Sequence, residues 1–281
     1  MEQKTLQNAV ALDGIGVHAG VACRVTLVPA REGSGIVFIN AASPKQRIRV
    51  GDVVPEPAMH ATVLRGEGWA VSTVEHLMAA VWVAGVTNLE ILVEGPEIPI
   101  LDGSSLLFCQ ALKEGGVVRQ GGFARFVTPA QIIQLHDEKG RSLVLEPATD
   151  GLTIAYAAGF KHPLAGVDRL HTRVTPEIFE HDVAPARTFG FLEQLPLLRQ
   201  HKLARGTSLG NSVVIGDYLM NEMRLAGECV RHKVLDLIGD MSLLGVGLQA
   251  RVRADRTSHD FNRLLIKHFK ENPTQWLPVE A

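Results

Sequence analysis

His232 and Asp236 stand four residues apart in Val230-Arg231-His232-Lys233-Val234-Leu235-Asp236-Leu237-Ile238-Gly239-Asp240. In a helix, residues i and i+4 lie one above the other on one face. Asp240 carries that stripe another turn along. At about 100° per residue, Val230, Val234, Leu237, Ile238 and Met241 gather on the opposite side. The spacing predicts a helix from about Gly227 to Leu244, apolar on one face, with histidine and carboxylates on the other. An imidazole and a carboxylate presented together are two of the three protein ligands of a catalytic zinc, whose fourth position stays open. The same pair also serves as a plain His–Asp hydrogen bond on a solvated helix face, and the helix alone does not separate the two readings.

A third ligand must come from elsewhere. His76 follows Glu75 near the start of another predicted helix and is the best candidate. An adjacent Glu–His pair can set an imidazole on a metal and a carboxylate on the metal-bound water, the role of Glu in HExxH enzymes at a different spacing. Ser72 and Glu75 also fit a capping box, which would commit Glu75 to the helix terminus instead. His259 lies at the N-terminus of the last predicted helix, where the helix dipole disfavours an imidazolium. A protonated His259 therefore needs a carboxylate, and Asp240 is a candidate. Such a pair holds a general acid charged near neutral pH. The other histidines show no spacing that suggests chemistry. Arg251, Arg253 and Arg256 read as the solvated face of a strand or, alternatively, as a phosphate site.

These residues must be positioned by two successive runs of elements. Val21 to Pro29 and Gly35 to Asn40 read as strands around the turn Arg31–Ser34, preceded by a glycine-rich turn from Asp13 to Gly20. A helix opens at Ser72-Thr73-Val74-Glu75-His76 and ends near Gly85. Leu89–Glu94 is a strand, and Leu106–Glu114 a helix capped from Asp102-Gly103-Ser104-Ser105. The weakly patterned Gly115–Gly122 stretch is the expected boundary between a domain at 1–122 and one at 123–281. The second run has strands at Gln131–Leu135, Ser142–Glu146 and Leu152–Ala157, then a short helix capped by Thr175 with Pro176 first. A Leu-rich insert at about 189–208, the long His232 helix, a strand at Val246–Ala254 and a Ser258-capped helix from His259 follow. Each half thus reads strands, helix, strand, helix, and a repeat of element order is expected.

The 281 residues suit one large domain or two ordinary ones, and 46% hydrophobic with 21% charged residues implies a packed core. A net charge of −2 argues against general binding of nucleic acid. Cys23, Cys109 and Cys229 form no CxxC and no even-numbered framework, which favours a reducing compartment. The N-terminus lacks an apolar signal region, and the apolar run Leu77–Val86 is shorter than the ~20 residues that span a bilayer. A soluble cytoplasmic protein is expected, with no transmembrane segment.

Four stretches together resemble one family. Ser72-Thr73-Val74-Glu75-His76-Leu77, Glu97-Ile98-Pro99-Ile100-Leu101-Asp102-Gly103-Ser104, Ala186-Arg187-Thr188-Phe189-Gly190-Phe191 and Arg231 to Asp240 come in the order found in the UDP-3-O-acyl-N-acetylglucosamine deacetylases, the LpxC family. Gly14 to Gly20 fits as well. The resemblance implies a two-domain α+β sandwich, each domain a β-sheet with two helices, with helices packed between the sheets and small inserts. It implies removal of acetate from the 2-acetamido group of UDP-3-O-acyl-N-acetylglucosamine, the committed step of lipid A biosynthesis in Gram-negative bacteria. It further implies zinc bound by His76, His232 and Asp236, with Glu75 as general base and His259 as general acid. Thr188 would support the oxyanion, Lys233 would stabilise charge near the metal, and Asp240 would orient His259. Phe160 and Arg256 match positions near the nucleotide or its phosphates. Phe189 and Phe191 open the insert expected to hold the acyl chain. Histidine and carboxylate suit Fe2+ as well as Zn2+. The expected partner is that small-molecule substrate, and a monomer is the expectation. Three positions depart from the family pattern: Ser258 stands where Gly is usual, Met78 where Asn is common, and Leu225–Cys229 lacks an acidic-aromatic run. Another zinc amidase acting on a different acylated amino sugar, and a non-catalytic sugar-nucleotide binder, are the alternatives.

Overall fold

The computed structural model describes residues 1–279. Its first half contains β1 (Val10–Ile15), β2 (Ala22–Pro29), β3 (Ile36–Asn40), β4 (Arg47–Arg49), α1 (Glu75–Val83), β5 (Leu89–Glu94) and α2 (Leu106–Gly115). The second half contains β6 (Ile133–His136), β7 (Ser142–Pro147), β8 (Leu152–Ala157), β9 (Arg169–Arg173), α3 (Glu228–Ser242), β10 (Ala250–Asp255) and α4 (His259–Glu271). The first sheet has the order β1-β2-β5-β3-β4, and the second β6-β7-β10-β8-β9. The two orders are the same permutation. In each sheet the last strand is inserted centrally, parallel to one neighbour (β5 to β3, β10 to β8) and antiparallel to the other. The expected repeat of element order is thus a repeat of topology.

Alternation explains the strands. In β8, Leu152, Ile154 and Tyr156 face inward, and in β10 Ala250, Val252 and Ala254 do the same, so that Ile154 meets Val252 in register. Arg251 and Arg253 lie on the outer face, where Arg253 pairs with Glu146, so the solvated-face reading of this strand holds for them. The inner faces of both sheets and the apolar sides of α1 and α3 form one continuous core, with the helices between the sheets. α1 packs directly on α3.

Gly239 lets that contact close: a Cβ there would lie 2.1 Å from the Glu75 carbonyl oxygen. Such close helix approach leaves room for hydrogen alone. The crossing therefore falls beside Asp236 and Asp240 on α3 and at the first residue of α1.

Several local expectations change. The stretch at Asp13–Ile15 is the end of strand β1 rather than a turn, because β2 pairs with it as far as Ala22. Most of the weakly patterned Gly115–Gly122 stretch expected as a domain boundary falls in a strand, Val117–Phe123, antiparallel to Glu2–Leu6. The strand expected at Val246–Ala254 is broken into Gly247–Leu248 and β10, which lie in different sheets. The capping box at Ser72 and Glu75 does not form: Val74 is the N-cap and Glu75 the first helical residue, so Glu75 is not at the third position that a box requires. Thr73, with φ 59°, turns the chain before the helix begins. Ser258 is the N-cap of α4 as expected, but its hydroxyl accepts from Arg141 instead of capping. Thr175 does cap its helix, accepting from the Ile178 N–H at 3.2 Å. No helix among the described residues is long and apolar enough to cross a membrane.

Candidate active site

α1 delivers its chemistry at its N-terminus and α3 in its middle. Glu75 and His76, in the first turn of α1, and His232, Asp236 and Asp240, on one stripe of α3, are all buried. The polar stripe of α3 is thus turned inward on to the start of α1, not out to solvent. His232 Nε2 lies 3.3 Å and His76 Nε2 3.8 Å from Asp236 Oδ1. One ligand atom from each of these three residues falls within 4.8 Å of the others. The His232 Nδ1–H donates to the Ala186 carbonyl at 3.0 Å, which leaves Nε2 as a lone pair facing the cluster. Asp236 Oδ1 and His76 Nδ1 are buried and have no hydrogen-bond partner. An orphaned carboxylate oxygen beside two imidazoles is what a divalent cation would satisfy, so the three residues fit a metal.

Electrostatics agree with that fit. Burial, followed by the neighbouring His232, lowers the pKa of His76 to about 3, so its ring is neutral, as a ligand must be. Burial also lowers the pKa of His232. Burial disfavours the Asp236 carboxylate, but Lys233 and then the surrounding histidines outweigh it and hold its pKa well below the usual range. Lys233 Nζ donates to Asp236 Oδ2 at 2.7 Å. Its pKa is raised because Asp236, above all, outweighs the cost of burial.

His259, at the start of α4, lies across the cluster. Its Nδ1 is 2.9 Å from Asp240 Oδ2, and its Nε2 is 3.7 Å from both Glu75 Oε1 and Asp236 Oδ2. Burial opposes its charge, but Asp240 first, then Asp236 and Glu75, raise its pKa to about 9. The helix dipole is thus overridden by three carboxylates. Glu75 moves the other way for a carboxylate: burial, with Asp240 and Asp236 adding to it against the opposing pull of His259, raises its pKa to about 7. Two titratable groups, His259 and Glu75, with pKa values pushed to about 9 and about 7, therefore face one another beside His76, His232 and Asp236.

Two buried carboxylates hold the surrounding chain. Glu97 accepts from Thr73 Oγ1 at 3.0 Å and from the backbone of His18 and Ala19 at 3.1 and 2.6 Å, tying the Gly16–Gly20 loop to the approach to α1. Gly16 is required there, since a Cβ would sit 2.0 Å from Glu97 Oε2. Glu228 is fully buried and accepts from Arg187 Nε at 2.8 Å and from the Arg187 and Arg224 backbone at 2.9 and 2.6 Å. This pair anchors the segment whose Ala186 carbonyl fixes the His232 ring.

The remaining sequence candidates are placed unequally. Thr188 is held by its N–H to Gly103 O at 2.7 Å, two residues from Ala186. Phe189 has its ring centroid 6.2 Å from that of His232, and Phe160 and Phe191 stack edge-on against it at 5.5 and 6.1 Å. The three phenylalanines lead outward from the ligands along a separate apolar cluster containing Val213 and Ile215. Arg256 stands apart: it bonds Asp255 and the Gly140 carbonyl, and its side chain is half exposed. Sequence reasoning missed Thr62 and Asn262, which both donate to Asp240, and the Arg187–Glu228 pair. Only Arg187 lay within a quoted motif. A cavity of about 590 Å³ lined by Trp82, Val86, Phe126 and Leu248 holds none of the site residues.

The family model described as UDP-3-O-acyl N-acetylglycosamine deacetylase matches residues 3–271. The chain belongs to the LpxC family. Its LpxC relatives include the UDP-3-O-acyl-N-acetylglucosamine deacetylase of Nitratidesulfovibrio vulgaris, 37% identical over 99% of this chain and 90% of the relative. The deacetylase of the same name from Oleidesulfovibrio alaskensis is 38% identical over 99% and 92%, and that of Nitratiruptor sp. is 35% identical over 100% and 94%. The LpxC match spans both sheets and every residue of the buried cluster.

Proposed function

We propose that the chain is a zinc-dependent deacetylase that hydrolyses the 2-acetamido group of UDP-3-O-acyl-N-acetylglucosamine to the free amine and acetate, the committed step of lipid A biosynthesis. The observation that carries this reading is the convergence of His76, His232 and Asp236 on one buried point, with Glu75 and His259 beside it, in a chain of this family. Two imidazoles and a carboxylate suit zinc with an open fourth position, and ferrous iron also accepts such a set. A zinc ion held there supplies Lewis acidity toward water and the amide carbonyl.

The chain's own residues do the rest. Glu75, its Oε2 accepting the Thr62 N–H at 3.1 Å, takes a proton from the attacking water. Lys233 and Thr188 stabilise negative charge developing on the carbonyl oxygen. His259 gives a proton from Nε2 to the departing nitrogen, while Asp240 keeps Nδ1 protonated and the ring oriented. Phe189 and Phe191, with the insert at about 189–208, receive the substrate's apolar part, and Phe160 and Arg256 are assigned to its nucleotide or phosphates. The division into domains 1–122 and 123–281 belongs to this reading. The pairing of Glu2 with Phe123 carries the first half one residue past that boundary, and beyond it no strand pairing joins the two halves among the described residues. The proposed setting is the cytoplasm, as a monomer, in keeping with three unpaired cysteines.

Acetate release from UDP-3-O-acyl-N-acetylglucosamine, before and after chelation, tests the proposal. Activity lost to the chelator and restored by zinc is expected. No release from metal-loaded, folded protein would overturn it. Release of equal amounts from a substrate lacking the 3-O-acyl chain would move the assignment to a different amidase.

A further inference from the structure

Thr62 lies outside every motif that pointed to the site, yet all of its polar groups are engaged at or beside it. It precedes the strand Val63–Gly66, which pairs antiparallel with Trp69–Ser72 and so runs straight into α1. Its carbonyl accepts the Thr73 N–H at 3.0 Å, where the backbone turns left-handed before the helix. Its own N–H donates to Glu75 Oε2 at 3.1 Å. Its hydroxyl donates to Asp240 Oδ1 and lies 3.1 Å from His259 Nδ1. Thr62 is 2% exposed, so no solvent replaces these bonds.

The division of labour at Asp240 makes the hydroxyl matter. Oδ2 is occupied twice, by His259 Nδ1 at 2.9 Å and Asn262 Nδ2 at 2.7 Å. Oδ1 is held by Thr62. Without that donor, a buried carboxylate oxygen is left bare and the carboxylate is free to rotate about its last torsion, taking the His259 ring with it. The contact also spans the two halves of the chain, since Thr62 belongs to the first and Asp240 to the second. A buried hydrogen bond of this kind sets register between elements that local sequence does not relate.

We propose that Thr62 is a positioning residue for both proton-transfer groups: its backbone aims Glu75, and its hydroxyl fixes Asp240 and through it His259. The inference rests on the assignment of Glu75 as base and His259 as acid. Thr62→Val keeps shape and backbone N–H and removes only the hydroxyl. It disables the acid arm and leaves the base arm intact.

The test compares metal-loaded wild type with Thr62→Val, Thr62→Ser and Thr62→Ala on UDP-3-O-acyl-N-acetylglucosamine. Thr62→Val is expected to lower kcat by about 10- to 100-fold, the usual effect of removing an outer partner of a site residue. KM and metal content should change little. Thr62→Ser should recover most of the loss, and Thr62→Ala should not. The serine–alanine pair isolates the hydroxyl even where valine is not accommodated, because both lack the methyl. Adding Thr62→Val to Asp240→Asn should cost no more than Asp240→Asn alone, as for two residues acting through one contact. Wild-type kcat in Thr62→Val, or serine and alanine variants falling equally with their melting temperatures, would overturn the proposal. Glu75→Gln and His259→Ala, assayed alongside, separate the two levels. Should they turn over normally, the acid–base assignment itself falls.

Discussion

The two halves of this molecule share a scaffold and divide the chemistry. Their sheets follow one strand permutation with the same central parallel pair. Their first helices nonetheless work differently. α1 is apolar beyond its first turn, from Leu77 to Val83, and offers Glu75 and His76 at its end. α3 carries His232, Lys233, Asp236 and Asp240 along its length. The second helices differ as well. α4 begins with His259 pointing into the site, whereas Ser105, at the start of α2, donates to the His76 carbonyl at 2.7 Å and supports the other helix from behind. A repeated topology therefore brings two helix pairs together without repeating a site. Neither half is complete, and His76, His232 and Asp236 come together only where α1 and α3 cross.

In the proposed mechanism, the first half supplies the base and one ligand, and the second the acid and two. Glu75→Gln tests the division most severely. Turnover should fall by about 10²–10⁴-fold, the usual contribution of a general base, with metal content unchanged. Loss of the metal in this variant would mean that the first half serves chiefly to hold the ion.

The pH profile comes next in size. Glu75, as the proposed base, works only when ionised, so the rate should rise with pH up to about 7. His259, as the proposed acid, works only when protonated, so the rate should fall as pH passes about 9. Each limb should drop about tenfold per unit beyond its pKa. A bound cation favours ionised Glu75 and disfavours charged His259, so both limbs should lie at or below these values. Asp240→Asn removes the strongest carboxylate partner of His259 and should move the alkaline limb further down. An alkaline limb unmoved in Asp240→Asn would remove Asp240 from this role.

The smallest effect concerns the crossing itself. Gly239→Ala forces a methyl against the Glu75 carbonyl, and overpacking of this kind costs about 1–3 kcal/mol. The melting temperature should drop by a few degrees, and kcat should fall with it as Glu75 is displaced. An unchanged melting temperature and kcat would show that the helices separate without consequence for the site.

Much of this was legible beforehand. His232 and Asp236 are related by helical periodicity, a property of four consecutive residues, and the alternation of β8 and β10 is equally local. The strand at Val117–Phe123 was not legible, because its glycines and alternating polar residues pair with Glu2–Leu6 from the far end of the half. The capping-box alternative for Glu75 could not be set aside from sequence, because its actual partner, the Thr62 N–H, is a backbone group without a sequence signature. Asn262 and Glu228 were missed for a similar reason: their partners Asp240 and Arg187 lie on other elements.

By itself the sequence determined the residue types that can ligate and transfer protons, the i,i+4 presentation on α3, and the inward alternation of the sheets. Each follows from backbone geometry acting over a few residues. Only the tertiary structure decided that the polar stripe of α3 is buried, that it faces the first turn of α1, and that Thr62 hydrogen-bonds both Glu75 and Asp240. Those outcomes depend on the register between helices from opposite halves, set by the Gly239 contact with Glu75, and no short-range rule contains it.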